Sequence, residues 1–324
     1  MAQALLQVAD LTTHLNTSRG VVRAVDGVSF DVNEGEVMGL VGESGSGKTM
    51  TAMSIARMLP QPAGRIVRGS VKLAGEELVD KTQAQMQDIR GRLIGTILQD
   101  PMSSLNPVFS IGNQIGDAIM AHRDLPRGSV REEIKRLLDL VRIPAAKSRV
   151  DDYPHQMSGG MRQRVVGALA LSCAPKLLIA DEPTTALDVT VQAQYLKLLR
   201  ELQRELSLSI VMITHDFGVV AAVCDKVAVM YAGRIVEQAP VGELFDRPQH
   251  PYSVALLGAL RTGSSGRKSR LFSLAGQPPD LRDPGKGCRF APRCAHAMDR
   301  CREQYPPATL HGVNHVSNCW LHQS

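Results

Sequence analysis

The sequence predicts an α/β fold built on a mainly parallel sheet, and three observations carry that prediction. Three short apolar runs, "EVMGLVG" from Glu36, "KLLIADE" from Lys176 and "SIVMITHD" from Ser209, each end in turn or acidic residues. Such runs fit strands buried on both faces of a parallel sheet. Helical patterns lie between them, and strands alternating with helices give this fold class. Composition agrees: apolar residues make up 44% and aromatics 4%, which suits an aliphatic core and argues against an all-β sandwich.

Taken in order, "KTMTAMSIARML" predicts a helix that starts at Lys48 and ends at Pro60, because a helix interior rejects proline. "VREEIKRLLDLVRI" places Ile134, Leu137, Leu138 and Val141 on one helical face. "MRQRVVGALAL" from Met161 is a further helix. "DVTVQAQYLKLLRELQREL" begins with Asp188 as N-cap and runs Leu199, Leu202 and Leu206 along one stripe. "VAVMYAGRIVEQ" reads as a hairpin around Ala232-Gly233. Cys173 and Cys224, in apolar helical contexts, read as core packing. "RTGSSGRKSR" from Arg261 is Gly/Ser-rich and basic, a linker candidate.

At 324 residues the chain suits two domains, or one domain with an extension. It has no uninterrupted apolar run of about 18 residues, so no membrane-spanning helix is predicted. "MAQALLQVAD" lacks the basic and apolar regions of a signal peptide. A cytosolic address is the expectation, where stable disulfides are disfavoured. The net charge of +5 is uneven: Arg261 to Ser324 holds ten Lys+Arg against four Asp+Glu, so the tail carries the whole excess. That excess reads as a solvated tail or as charge offsetting thiolates, rather than as a surface for nucleic acid or lipid.

"GESGSGKT", Gly42-Glu43-Ser44-Gly45-Ser46-Gly47-Lys48-Thr49, matches G-x-x-x-x-G-K-[ST] after a predicted strand and at the start of a predicted helix. Glycines let backbone N–H groups curl around a phosphate, and the helix amino terminus adds favourable potential for an anion. Lys48 is expected to reach the β- and γ-phosphates, and the Thr49 hydroxyl to bind Mg²⁺. In "LLIADE", Asp181 and Glu182 end a strand where α/β sheets place ligand chemistry. Asp181 suits Mg²⁺ through water, and Glu182 suits activation of the attacking water, a role worth ~10²–10⁴ in rate. The chain is thus a candidate P-loop NTPase, and the absence of an N-K-x-D tetrapeptide favours ATP over GTP. Ser158-Gly159-Gly160 opens a second helix with bare backbone donors, able to bind a second anion. Two such clamps make sense if each ATP is shared between two subunits in a head-to-tail pair.

As a set, these motifs resemble the ATP-binding-cassette (ABC) family over roughly Leu5 to Gln238. The residues that carry the resemblance are Gly42–Thr49, Gln99 in "ILQDP", Ser158-Gly159-Gly160, Asp181-Glu182, Asp188 in "TTALD" and His215 in "ITHD", in the family's order. The resemblance implies a RecA-like P-loop ATPase core with antiparallel β and helical subdomains, over residues 1–260, the helical one at about 99–165. It implies that Gln99 senses Mg²⁺ and the γ-phosphate and contacts membrane subunits. It further implies that Asp188 shapes the dimer seam and that His215 holds the γ-phosphate and the geometry of Glu182. Two positions depart from the family. No aromatic lies between Leu11 and Ser29 to stack on adenine, and Arg19 falls near that spot. Met161 stands where many members have glutamine.

"QDPMSSLNP", "SGGMRQR" and "HPYSVALLGAL" are similar to the ATPase subunits of dipeptide and oligopeptide importers, of the D type. That similarity implies an ATPase peripheral to the cytoplasmic face of the membrane, paired with a second ATPase subunit. It also implies two transmembrane permeases and, indirectly, an extracytoplasmic solute-binding protein, with no nucleic acid. The rival is a soluble ABC ATPase of translation or DNA repair, but the chain has one cassette and no long coiled coil between Thr49 and Ser158. A non-hydrolysing regulatory subunit is disfavoured by the intact Lys48, Glu182 and His215. Nickel, glutathione and other small solutes stay open beside peptides.

Four of the six cysteines lie in the tail, spaced Cys288-x5-Cys294-x6-Cys301-x17-Cys319. The residues from Leu271 onward are too few for a good core, so a staple is expected. Four thiolates suit an iron–sulfur cluster or zinc, the latter with His296 or His315 replacing one thiolate. The wide spacings, and the resemblance, favour a [4Fe–4S] cluster in an extension spanning 261–324.

Overall fold

The computed structural model describes residues 4–99, 104–261 and 274–323. In chain order, β1 (Ala4–Thr17) and β2 (Gly20–Asn33) are followed by β3 (Val37–Val41), α1 (Lys48–Ile55), β4 (Gly64–Leu73) and β5 (Glu76–Glu77). Then come α2 (Gln83–Arg92), β6 (Ile94–Ile97), α3 (Ile111–His122), α4 (Arg127–Leu140), α5 (Ala146–Arg149) and α6 (Gly159–Leu171). These lead to β7 (Leu177–Asp181), α7 (Val189–Glu205), β8 (Ser209–Thr214), α8 (Phe217–Val223), β9 (Lys226–Tyr231) and β10 (Arg234–Pro240). The remainder is α9 (Val241–Asp246), α10 (Pro251–Arg261), α11 (Asp299–Glu303), β11 (Thr309–Gly312) and β12 (His315–Ser317). No described helix is long and apolar enough to cross a membrane.

The chain forms two compact units. One takes in Val32–Val37 and Asp80–Ile213. Its strands β6, β7 and β8 run parallel, with Ile94 beside Leu177 and Leu177 beside Ser209. All of β7 and β8 is buried, as the unbroken apolar runs require. Four of its helices start on side-chain caps: Thr82 with Gln85 in a capping box for α2, Ser110 for α3, Ser158 for α6 and Asp188 for α7. Each cap oxygen accepts a first-turn N–H that the helix itself leaves without a partner.

The other unit takes in Leu6–Asp31, Met38–Val79 and Thr214–Ser324. Here β3 pairs parallel with β9, Met38 beside Lys226, and β9 turns back antiparallel into β10. The turn uses Ala232 and Gly233, both left-handed (φ 47° and 85°), as a two-residue hairpin requires. Strand β12 adds to β10 with Glu237 opposite Ser317, and β11 lies outside β12. A second sheet runs β2-β1-β4-β5, with Leu6 opposite Leu73.

The predicted strands and the cap at Asp188 are present, and three expectations need correction. Helix α1 stops at Ile55, well before Pro60. Arg57 takes a left-handed conformation (φ 53°), and its guanidinium donates to the carbonyls of Leu78 (2.8 Å) and Val79. Cys173 and Cys224 are buried in the core, as their core-packing reading expects, but at helix ends rather than within helices, Cys224 closing α8. The tail is not a small unit in need of its own staple. Residues 274–323 share a core with β9 and α10: Phe290 meets Tyr231 and Tyr252, both at 5.3 Å between ring centroids. Beyond Arg261, the linker candidate lies outside the described residues.

Candidate functional site

The phosphate loop follows β3 and opens α1, the setting its residue pattern requires. Gly42 and Gly47 have φ of 153° and 102°. A Cβ on Gly42 would stand 2.1 Å from the Met230 carbonyl oxygen, and one on Gly47 2.4 Å from that of Ala24. Only glycine admits so close a backbone approach. The Lys48 side chain is 5% exposed, and its Nζ donates to the carbonyls of Gly42 (2.8 Å) and Glu43 (3.0 Å). Ser46 is buried, Thr49 half-buried, and Ser44 and Gly45 exposed. An ammonium held on the loop's own carbonyls, with N–H groups opening a helix, is an anion-binding arrangement.

The same unit grips this loop from outside. The Glu43 N–H donates to the Tyr252 hydroxyl (2.9 Å). Arg293, in the tail, pairs both oxygens of Glu43 (2.7 and 3.1 Å) and donates to the Tyr231 hydroxyl (3.2 Å). The Gly233 N–H donates to the Ser46 carbonyl, and the Asp26 N–H to the Gly233 carbonyl, both at 2.8 Å. Asp26 accepts from Arg234 and from Arg289, and Arg289 also donates to the Ala232 carbonyl. Burial raises the Asp26 pKa, but the bonds from Arg234 and Arg289 outweigh it and hold the carboxyl below its usual range. Arg19 is exposed in the turn between β1 and β2, where its carbonyl accepts from Arg282 (3.4 Å). His215 is exposed just past β8, ahead of Asp216, which caps α8.

In the other unit, Asp181 is buried at the end of β7, and Glu182 follows with a left-handed backbone (φ 47°), rare for a side chain of its size. One Glu182 carboxylate oxygen accepts from Gln99 Nε2 (3.1 Å) and Thr185 Oγ1 (3.0 Å). Two separate loops are thus brought onto one carboxylate, with the strained backbone fixing its direction. Ser158 is an exposed N-cap whose Oγ accepts from the Met161 N–H (3.3 Å), with Gly159 beside it exposed and Gly160 half-buried. Asp188 is exposed and accepts from the Val191 N–H (3.0 Å).

Cys288, Cys294, Cys301 and Cys319 line one small cavity with His250, Phe290 and Trp320, of about 20 Å³. All are free thiols. Burial pushes Cys288 up to about 11, raises Cys294 and Cys319, and pushes the His250 imidazole down to about 3. As the side chains stand, they do not make a metal centre. Among the described residues no group of three or more His, Cys, Asp or Glu could hold a metal ion, and the cavity has room for about one water. His315, offered as a substitute ligand, is engaged with Glu237 at 2.8 Å.

Sequence reasoning missed Tyr252, Tyr231, Arg293, Arg289, Asp26 and Thr185. Signals lay nearby: Tyr252 stands in "HPYSVALLGAL", Thr185 in "TTALD", Tyr231 in "VAVMYAGRIVEQ" and both arginines within the cysteine spacing, in "CRFAPRC".

Residues 25–185 match the family described as ABC transporter. Residues 236–301 match the oligopeptide/dipeptide transporter C-terminal region. The chain is 49% identical over 319 residues to a probable peptide ABC transporter ATP-binding protein of Sinorhizobium fredii, covering 98% of this chain and 95% of that one. It is 47% identical over 317 residues to the oligopeptide transport ATP-binding protein OppD of Bacillus subtilis, covering 98% and 88%. Among solved structures it is similar to a Clostridium perfringens protein that is part of an ABC transporter complex, with a TM-score of 0.65 and 28% identity over 80% of this chain and 96% of that one.

Proposed function

Because this chain belongs to the ABC transporter family, and within it to the oligopeptide/dipeptide branch, we propose that it is the ATP-hydrolysing subunit of a dipeptide or oligopeptide importer. The observation that carries this is the pairing, in one compact unit, of the phosphate loop Gly42–Thr49 with the carboxyl-terminal region of peptide transporters. The names of the relatives favour peptides over nickel or glutathione, since contacts with the solute belong to other subunits.

In this reading the loop N–H groups and Lys48 hold the β- and γ-phosphates of ATP. Thr49, Asp181 (through water) and Gln99 hold Mg²⁺. Glu182 orients and deprotonates the attacking water, His215 steadies the γ-phosphate, and Arg19 packs on adenine. Catalysis is then mostly positioning and electrostatics around the transferred phosphoryl group. Ser158, Gly159, Gly160 and Asp188 serve the ATP of a partner ATPase subunit in a head-to-tail pair. Two membrane permeases receive the motion, and a solute-binding protein acts on them from outside. The chain itself sits at the cytoplasmic face of the membrane.

A [4Fe–4S] cluster on Cys288, Cys294, Cys301 and Cys319 is supported by the donor set, four thiols around one cavity, and not by the present geometry. Zinc is the alternative with the same donors. Iron, sulfide and zinc analysis of anaerobically purified protein decides between them, and neither metal would leave the cavity a packed core of thiols.

The test of function is reconstitution with the partner ATPase and permeases in proteoliposomes. Peptide-loaded binding protein should stimulate ATP turnover. Glu182→Gln should keep ATP binding and lose about 10²–10⁴ in rate. Unimpaired turnover in that variant removes Glu182 from the base role, and failure to assemble with permeases removes the importer reading.

A further inference from the structure

We infer that Arg293, a tail residue with no place in the nucleotide motifs, is a positioning residue for the phosphate loop, acting through Glu43. The inference rests on the reading of Gly42–Thr49 as the ATP loop. Glu43 puts a carboxylate into a loop that must receive a triphosphate. Like charges in one loop repel, and the more so where water is partly excluded. The arginine answers that charge with a two-point contact, Nη1 to one oxygen at 2.7 Å and Nη2 to the other at 3.1 Å. A planar guanidinium fixes both the position and the tilt of the carboxylate.

Arg293 is itself held rigidly. Its side chain is 5% exposed, Nε donates to the Ala275 carbonyl (3.0 Å), Nη2 to that of Leu274 (3.3 Å) and Nη1 to the Tyr231 hydroxyl (3.2 Å). The contact with Glu43 raises its pKa, so it stays charged. With the Glu43 N–H bound to the Tyr252 hydroxyl, both the side chain and the backbone of this loop residue are anchored from the carboxyl-terminal part of the chain. The segment from Cys288 to Cys294 thereby ties the cysteine cavity to the nucleotide loop.

The test is the Kd for a fluorescent ATP analogue with magnesium, measured on the full chain as wild type, Arg293→Met, Arg293→Lys and the double variant Arg293→Met/Glu43→Gln, with thermal unfolding recorded for each. Arg293→Met should weaken binding at least about tenfold, because a loop that receives phosphates then carries a carboxylate without its counter-ion. Removing that charge in the double variant should bring Kd back to within about threefold of wild type, a rescue that a merely structural role would not give. Arg293→Lys keeps the charge without the fork and should fall between. A Kd for Arg293→Met within about twofold of wild type, or a double variant no better than the single, overturns the inference. Should Arg293→Met not fold, Arg293→Lys decides by the same twofold criterion. Wild type that fails to bind the analogue overturns the ATP reading itself, and the two failures are thereby distinct.

Discussion

Replacing Asp26 by Asn should destabilise the unit that carries the phosphate loop far more than its one changed atom suggests. Asp26 is the single carboxylate between two guanidiniums: Arg234 donates to it at 3.1 and 2.9 Å, and Arg289 donates to the same oxygen. The side chains are 13% exposed for Asp26, 29% for Arg234 and 3% for Arg289. Arg234 can recover water once the carboxylate is gone, so its share is no more than about 1 kcal/mol. Arg289 cannot. It keeps the Ala232 carbonyl but becomes a buried charge without a counter-ion, which costs about 3–5 kcal/mol. At about 2–4 °C per kcal/mol for a unit of this size, the melting temperature should fall by roughly 6–20 °C. The assays are circular dichroism melting and urea unfolding followed by the emission of Trp320, the only tryptophan of the chain. Acid provides a second arm. A carboxyl whose folded pKa is depressed stabilises above its unfolded pKa, and that stabilisation is lost as pH falls through the folded value. The gap between wild type and variant should therefore close in acid. Adding Arg289→Met should recover most of the loss, because no lone charge then remains buried. A loss below about 1 kcal/mol at neutral pH, or a gap that does not narrow in acid, refutes the argument.

One further outcome follows from the same unit. Gly42→Ala should abolish nucleotide binding or folding of the loop, since its Cβ would stand 2.1 Å from a backbone carbonyl that cannot step aside; ATP affinity and melting temperature check it.

The sequence by itself determined whatever rests on local pattern. Short unbroken apolar runs fit strands buried on both faces, and β3, β7 and β8 lie where those runs stand. Gly42 to Thr49 and the cap at Asp188 are short-range motifs, so their places at the starts of α1 and α7 were legible in the sequence. The sheet of β1, β2, β4 and β5 was implied only by resemblance, because its mixed polar and apolar residues carry no strong period. The tertiary structure alone decided what touches across long stretches of chain. Arg293 reaches Glu43 across 250 positions, Tyr252 reaches the Glu43 N–H across 209, and Arg289 reaches Asp26 across 263. Gln99 and Glu182 meet from positions 83 apart. Nothing in the neighbourhood of an arginine names the carboxylate it will neutralise. That partner is selected by the burial of both groups together, when the tail folds onto the same core as the phosphate loop.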